Sequence, residues 1–221
     1  MQIKELTLHT NSITAVKDFY GSVLSLKIIS ENSDIISFQS GSTQVNFKLD
    51  SESKNPFYHF AFNIPSNKIE EAKDWMKGKV DLMQISENNH IVDFVNWKAK
   101  SVYFFDPAGN IVELISRFDL DNKTSEPFDS SQILNVSEIG IVTDNVPALK
   151  EKLINDYKVS DFVKSVNSDT FSAMGDDNGL FIVAVNNRNW YPTQIPSQKF
   201  PFEVKFIIDK GELYTITDKT M

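Results

Sequence analysis

The 221-residue chain contains no cysteine. That absence removes disulfides, zinc–cysteine sites, iron–sulfur clusters and thiol nucleophiles together. Long apolar runs are also missing: no stretch approaches the ~20 apolar residues needed to span a bilayer. The first residues, MQIKELTLHT, alternate and carry charge, unlike the apolar run of a secretory signal. A soluble, cytoplasmic protein with no membrane partner is expected. Basic residues are the third shortage, with 22 Lys and Arg against 30 Asp and Glu, a formal charge of −8. No Lys/Arg cluster offers the basic face that a polyanion requires, so nucleic acid is not an expected partner. What the chain does have is 41% hydrophobic residues, including 17 Phe. That is ample for a packed core and rules out disorder.

Self-similarity organises the chain. Lys4–His9 alternates as a half-buried strand, Asn11 and Ser12 are helix caps, and Ile13–Tyr20 has helical spacing. Strand-like runs follow at 26–30, 35–40 and 43–49, with Gly41-Ser42 as a turn, which gives the order βαβββ. The order restarts with a strand at His59–Ile64, an amphipathic helix at Lys68–Lys77, and strands at 81–85, 91–95, 101–105 and 111–116. A third copy opens at Glu138-Ile-Gly-Ile-Val142, which matches Glu5–His9, and Val146–Lys150 matches Ile13–Lys17 at the same offset. Strands at 171–174 and 180–185 continue this copy. Pro201–Phe206 echoes Pro56–Ala61, and Gly211–Thr217 ends a truncated fourth unit. The expected class is α+β, with two paired units forming a curved mixed sheet. The expected division is a complete two-unit domain at 1–118, a linker at 119–131 and an incomplete domain at 132–221.

Strand parity selects the polar candidates. Glu5, Thr7 and His9 share one face of the first strand, opposite Leu6 and Leu8. His59, Ala61 and Asn63 share a face opposite Phe60, Phe62 and Ile64. With the apolar faces against the helices, Glu5 and His59 point into the open side of the curved sheet at equivalent places. Glu113 stands among Ile111, Val112, Leu114 and Ile115, where a buried carboxylate needs a cation to compensate it.

The segment Ser101–Ile115, with its Asp106-Pro-Ala-Gly-Asn110 turn and following glutamate, resembles the closing hairpin of the vicinal oxygen chelate (glyoxalase/bleomycin resistance/dioxygenase) superfamily. The duplicated units strengthen the resemblance, which covers 1–118 directly and the third unit through the repeat. It implies a divalent ion (Mn²⁺, Zn²⁺, Ni²⁺ or Fe²⁺) held by Glu5, His59 and Glu113. It further implies that the metal holds a small oxygen-bearing substrate while a glutamate, Glu5 or Glu113, moves a proton, as an isomerase or lyase would. Asn46 or Gln44 stands where some relatives place a fourth, glutamate ligand. Ring-cleaving relatives use two histidines and one carboxylate, so Glu5 in place of a histidine turns the expectation away from oxygen chemistry. A metal-free binding protein, like the family's antibiotic-sequestering members, is one alternative, and an extradiol-dioxygenase-like enzyme is the other.

Around this site, His9, Asn46, Phe47, Trp97, Tyr103 and Arg117 are pocket candidates, with Arg117 a candidate anion binder. His90 has no assigned role, and Trp190-Tyr191 reads as a cap on a core or an interface. Glu138 faces Val204 where a histidine should stand, so a second site there reads as dead. The unpartnered third unit leads to the expectation of a homodimer.

Overall fold

The structure is a computed structural model that describes all residues except 53, 54, 209 and 210. Four opening strands carry the repeat: β1 (Gln2–Thr10), β5 (His59–Ile64), β9 (Asn135–Thr143) and β12 (Phe202–Ile208). The first unit continues through α1 (Ile13–Val16), a wide π-helical stretch at Lys17–Val23, β2 (Lys27–Glu31), β3 (Ile35–Ser40) and β4 (Thr43–Leu49). The second adds α2 (Ile69–Met76), β6 (Val92–Phe94), β7 (Ala99–Phe105) and β8 (Ile111–Arg117). The third adds α3 (Val146–Tyr157), β10 (Phe171–Asp176) and β11 (Gly179–Val185), and β13 (Glu212–Thr217) follows β12. Helix starts follow the sequence signals: Ser12 accepts from the Ala15 amide and Asn145 from the Ala148 amide.

Two mixed sheets result, ordered β13-β12-β1-β4-β3-β2 and β10-β11-β9-β5-β8-β7-β6. The α+β class and the repeated units agree with expectation, but the pairing of units does not. β1 pairs with β12, and β5 pairs antiparallel with β9. The first unit therefore joins the fourth-unit stub, and the second joins the third. Each sheet draws on both halves of the chain, so the division into 1–118 and 132–221 is corrected. The physical reason is edge satisfaction: each opening strand has one side filled by its own unit's last strand and needs another opening strand on the other. With four such strands in the chain, both seams close internally, which also removes the premise of the expected dimer.

Two smaller corrections concern strand number. Residues 81–85 make only an isolated bridge, Leu82 to Phe104, instead of a strand. The third unit has two strands after its helix, since 158–170 contributes isolated bridges alone. Among the described residues no helix is long and apolar enough to cross a membrane.

One face of each sheet enters a common core, where Leu6, Phe47 and Phe206 of the first sheet join Phe60, Leu114 and Ile139 of the second. The opposite face of the second sheet carries a smaller cluster that includes Tyr103, Ile111, Phe162, Ile182 and Trp190. The Asp106 turn braces this sheet. Asp106 accepts from the amides of Ala108 and Asn110 and from the Tyr20 hydroxyl at 2.7 Å, while Asn110 accepts from the Tyr58 amide. That network links the helical segment of the first unit to the hairpin that aims β8.

The two sheets also meet at the β3–β4 turn, where the Ser42 amide donates to the Leu134 carbonyl at 2.9 Å. Gly41 lies there at φ +51°, and a Cβ on it would stand 1.8 Å from the Leu134 oxygen. Gly41→Ala is therefore expected to lower the melting temperature by several degrees, combining a left-handed backbone with a backbone clash. Gly78→Ala, at φ +78° with nothing within 4 Å, should cost only the backbone part, about 1 kcal/mol. Thermal melts of the two variants side by side check this.

Candidate metal centre

The β5–β9 seam builds the site. In β5, Ala61 lies opposite Glu138 of β9, and in the parallel partner β8 it lies opposite Glu113. Side chains on the same face of neighbouring strands converge. His59, Glu113 and Glu138 accordingly bring one ligand atom each to within 4.8 Å of one another, all three residues being buried.

The imidazole is oriented by its own backbone environment. His59 Nδ1 lies 3.1 Å from the Ile111 carbonyl, which can only accept, so Nδ1 carries the proton and Nε2 presents a bare lone pair. That nitrogen faces Glu113 Oε2 at 3.7 Å and Glu138 Oε2 at 3.9 Å. Burial lowers the His59 pKa to about 4, so the ring is neutral near neutral pH. Burial, and then the negative charge of Glu138, push the Glu113 carboxyl up to about 8. Glu138 is also raised by burial, against the pull of Arg117.

Arg117 answers one of the two carboxylates. Fully buried, it donates from Nη2 to Glu138, its Nη1 stands 3.6 Å from Asp177, and its guanidinium lies 5.9 Å from the ring centres of Trp97 and Phe162. Glu113 Oε1 remains buried with no hydrogen-bond partner. An orphaned carboxylate oxygen, a second carboxylate and a bare imidazole nitrogen form an acceptor-only group that suits a divalent cation with N and O ligands.

The site opens into a cavity of about 240 Å³ with an aromatic wall that includes Phe94, Trp97, Tyr103, Trp190 and Tyr191. Trp190 lies against Gly140, where a Cβ would stand 2.6 Å from the indole, so the glycine two residues after Glu138 lets the ring settle beside His59. The ring centres of Trp190 and His59 are 5.4 Å apart.

Of the residues singled out in the sequence, His59, Glu113, Trp97 and Tyr103 lie together at this cavity, and several others lie elsewhere. Glu5 lies in the first sheet, where it accepts from Asn46 at 2.9 Å and pairs with Lys205 at 3.0 Å, so it is corrected as a ligand and as a proton carrier at this site. His9 pairs with Asp50, Asn46 serves Glu5 and Thr7, and Phe47 is in the main core, which takes all three out of the pocket. Arg117 stands behind Glu138 and is not among the lining residues, so its charge is spent internally. Glu138, by contrast, joins His59 and Glu113, and Trp190-Tyr191 lines the cavity. The cue for Glu138 was available, since it stands in an Ile-rich strand just as Glu113 does.

The pKa shifts fix a pH dependence. Glu113 keeps its proton in the folded metal-free state where the unfolded chain has lost it, so stability falls as pH rises toward about 8. His59 works oppositely between 6.5 and about 4, because the unfolded ring gains a proton that the folded ring refuses. Above 6.5 Glu113 acts without that offset. Chelator-treated protein is expected to lose on the order of 1–2 kcal/mol between pH 6.5 and 8, and Glu113→Gln to flatten the decline. Denaturant titrations at the two pH values check this.

No protein-family model matches the chain, and no curated protein does. Two solved structures align with most of it. A Bacillus subtilis protein to which dioxygenase activity has been attributed aligns with 90% of the chain at 15% identity and TM-score 0.60. The chain spans 65% of that protein, under two thirds of its length. The V278E mutant of glyoxalase I from Zea mays aligns with 89% of the chain and 70% of its own, at 12% identity and TM-score 0.57. With its repeated units, paired opening strands and cupped mixed sheets, the chain has the fold of the vicinal oxygen chelate (glyoxalase/bleomycin resistance/dioxygenase) superfamily.

Proposed function

We propose that the chain is a divalent-metal enzyme of the glyoxalase type, with His59, Glu113 and Glu138 as protein ligands and a small oxygen-bearing substrate in the adjoining cavity. The observation that carries this reading is the acceptor-only convergence of the three side chains, with Glu113 Oε1 left without a partner. A divalent ion there would supply Lewis acidity to two adjacent substrate oxygens and acidify the neighbouring C–H or O–H.

The residues divide the remaining work. The Ile111 carbonyl fixes the His59 tautomer and aims Nε2 at the ligand position. Arg117 donates to Glu138, pulls it toward the charged form against the effect of burial, and so favours it as a fixed ligand. Glu113 has no guanidinium contact and its carboxyl is pushed up by burial, which makes it the carrier that takes a proton from substrate and returns it. Burial of His59, Glu113 and Glu138 limits the contact of the exchanging proton with water. The ion pair between Arg117 and Glu138 also supports the second reading, a metal-free binding protein, because it answers part of the buried charge without a metal.

Elemental analysis of untagged protein after incubation with Mn²⁺, Zn²⁺, Ni²⁺ or Fe²⁺ separates the two. One ion per chain is expected in the wild type and in Glu5→Ala, with at least a tenfold loss of affinity in His59→Ala, Glu113→Ala and Glu138→Ala. Loaded wild type should exchange a substrate C–H with D₂O in a panel of 2-hydroxy and 2-oxo compounds, and Glu113→Gln should not. Absence of metal from the wild type under all four ions leaves the binding protein as the reading.

A further inference from the structure

The chain has two arginines, and both stand at this one site. Arg117 is spent on Glu138 and Asp177. Arg188 is not spent. It belongs to the cavity wall, half-buried, in the turn that follows β11, with its guanidinium carbon 4.7 Å from the centre of the Phe171 ring. Its side-chain hydrogen bond is a long one, from Nη1 to the Asn189 carbonyl at 3.4 Å. Among the described residues no carboxylate forms an ion pair with it, whereas nearby Lys164 is held by Asp119 and Asp177.

A guanidinium stacked on an aromatic ring has its planar edge held in place and its donors ready for a planar bidentate acceptor. Much of the remaining wall is aromatic, with the Phe94 ring centre 6.0 Å from those of both Trp97 and Tyr191. The cavity's 240 Å³ has room for one ring with short substituents. Arg117 donates to Glu138 and so offsets the buried negative charge nearest to it.

We propose that Arg188 is the anion anchor of this pocket, and that the substrate is a single-ring or similarly flat apolar acid whose carboxylate binds Arg188. The proposal rests on the reading of this cavity as the substrate site and requires no metal. Arg188 is then a specificity-determining residue, and the reacting oxygens lie at the other end of the ligand, toward His59.

The test uses chelator-treated full chain, so that the probe's carboxylate has no metal to prefer, with 3-phenylpropionate and its uncharged amide as paired probes. Trp97 and Trp190 in the wall report binding by fluorescence. Wild type is expected to favour the acid by about tenfold or more. Arg188→Gln should erase that preference while leaving weak binding of both probes, and Arg188→Lys should restore part of it. Equal affinity of wild type for acid and amide, no binding of the acid, or a preference that survives in Arg188→Gln overturns the proposal. His59→Ala keeps the two readings apart: loss of metal with the acid preference intact leaves the anchor standing independently of the metal enzyme.

Discussion

Two carboxylates and a neutral imidazole share one buried space, with a single guanidinium to answer them. Arg117 meets Glu138, and the second carboxyl must then be satisfied by a proton or another cation. Much of the second sheet serves to hold that unsettled balance in place. The Asp106 network braces the hairpin that carries Glu113, the Ile111 carbonyl turns His59, and Gly140 admits Trp190 over the strand that carries Glu138. Buried charge on strands that are buried on both faces, as β8 is, would be a liability in a purely structural sheet.

The two sheets make the point by contrast. In the first, Glu5 is partly exposed, accepts from Asn46 and faces Lys205 across the β1–β12 seam. Solvent and a built-in ammonium balance that charge, so nothing further is required. In the second, the position opposite Glu138 is Ala61, which supplies no charge, and the Glu138 side chain is buried. Equivalent glutamates in the repeat therefore meet different fates because of one facing residue and one covering loop.

Much of this was legible in the sequence. The repeat, the helix caps, the Asp106 turn and the strand parity that placed His59 and Glu113 on the cup face all came from local pattern. The pairing of units did not, because any of four opening strands can satisfy the edge of another, and local alternation is the same for each. Pairing the first two units would bring Glu5 to His59, whereas the actual seam sets Glu138 opposite Ala61 and brings its carboxylate 3.9 Å from the imidazole. Register was the second hidden variable. Glu5 faces Lys205 as Glu138 faces Ala61, so the position equivalent to His59 is Glu203 and not Val204. The Val204 comparison, which made a site at Glu138 look dead, was one residue out and taken from the wrong sheet.

Trp190-Tyr191 illustrates a different limit. An aromatic pair in a loop has no periodicity to declare which way it faces, and only the cover that the loop gives to the β5–β9 seam makes it a pocket wall. The same cover brings Arg188 to the cavity while Arg117 stays behind it. One arginine fixes the charge of a ligand-bearing glutamate, and the other is left with donors to offer. A site in which the inner cation is consumed and the outer one is not is built to receive an anion from outside. The orphaned oxygen of Glu113 calls for a cation at the inner end of the cavity, and the guanidinium of Arg188, in no ion pair among the described residues, calls for an anion along its wall. A ligand with oxygens at one end and a carboxylate at the other meets both demands, because each end replaces water at a group that burial has left short of partners.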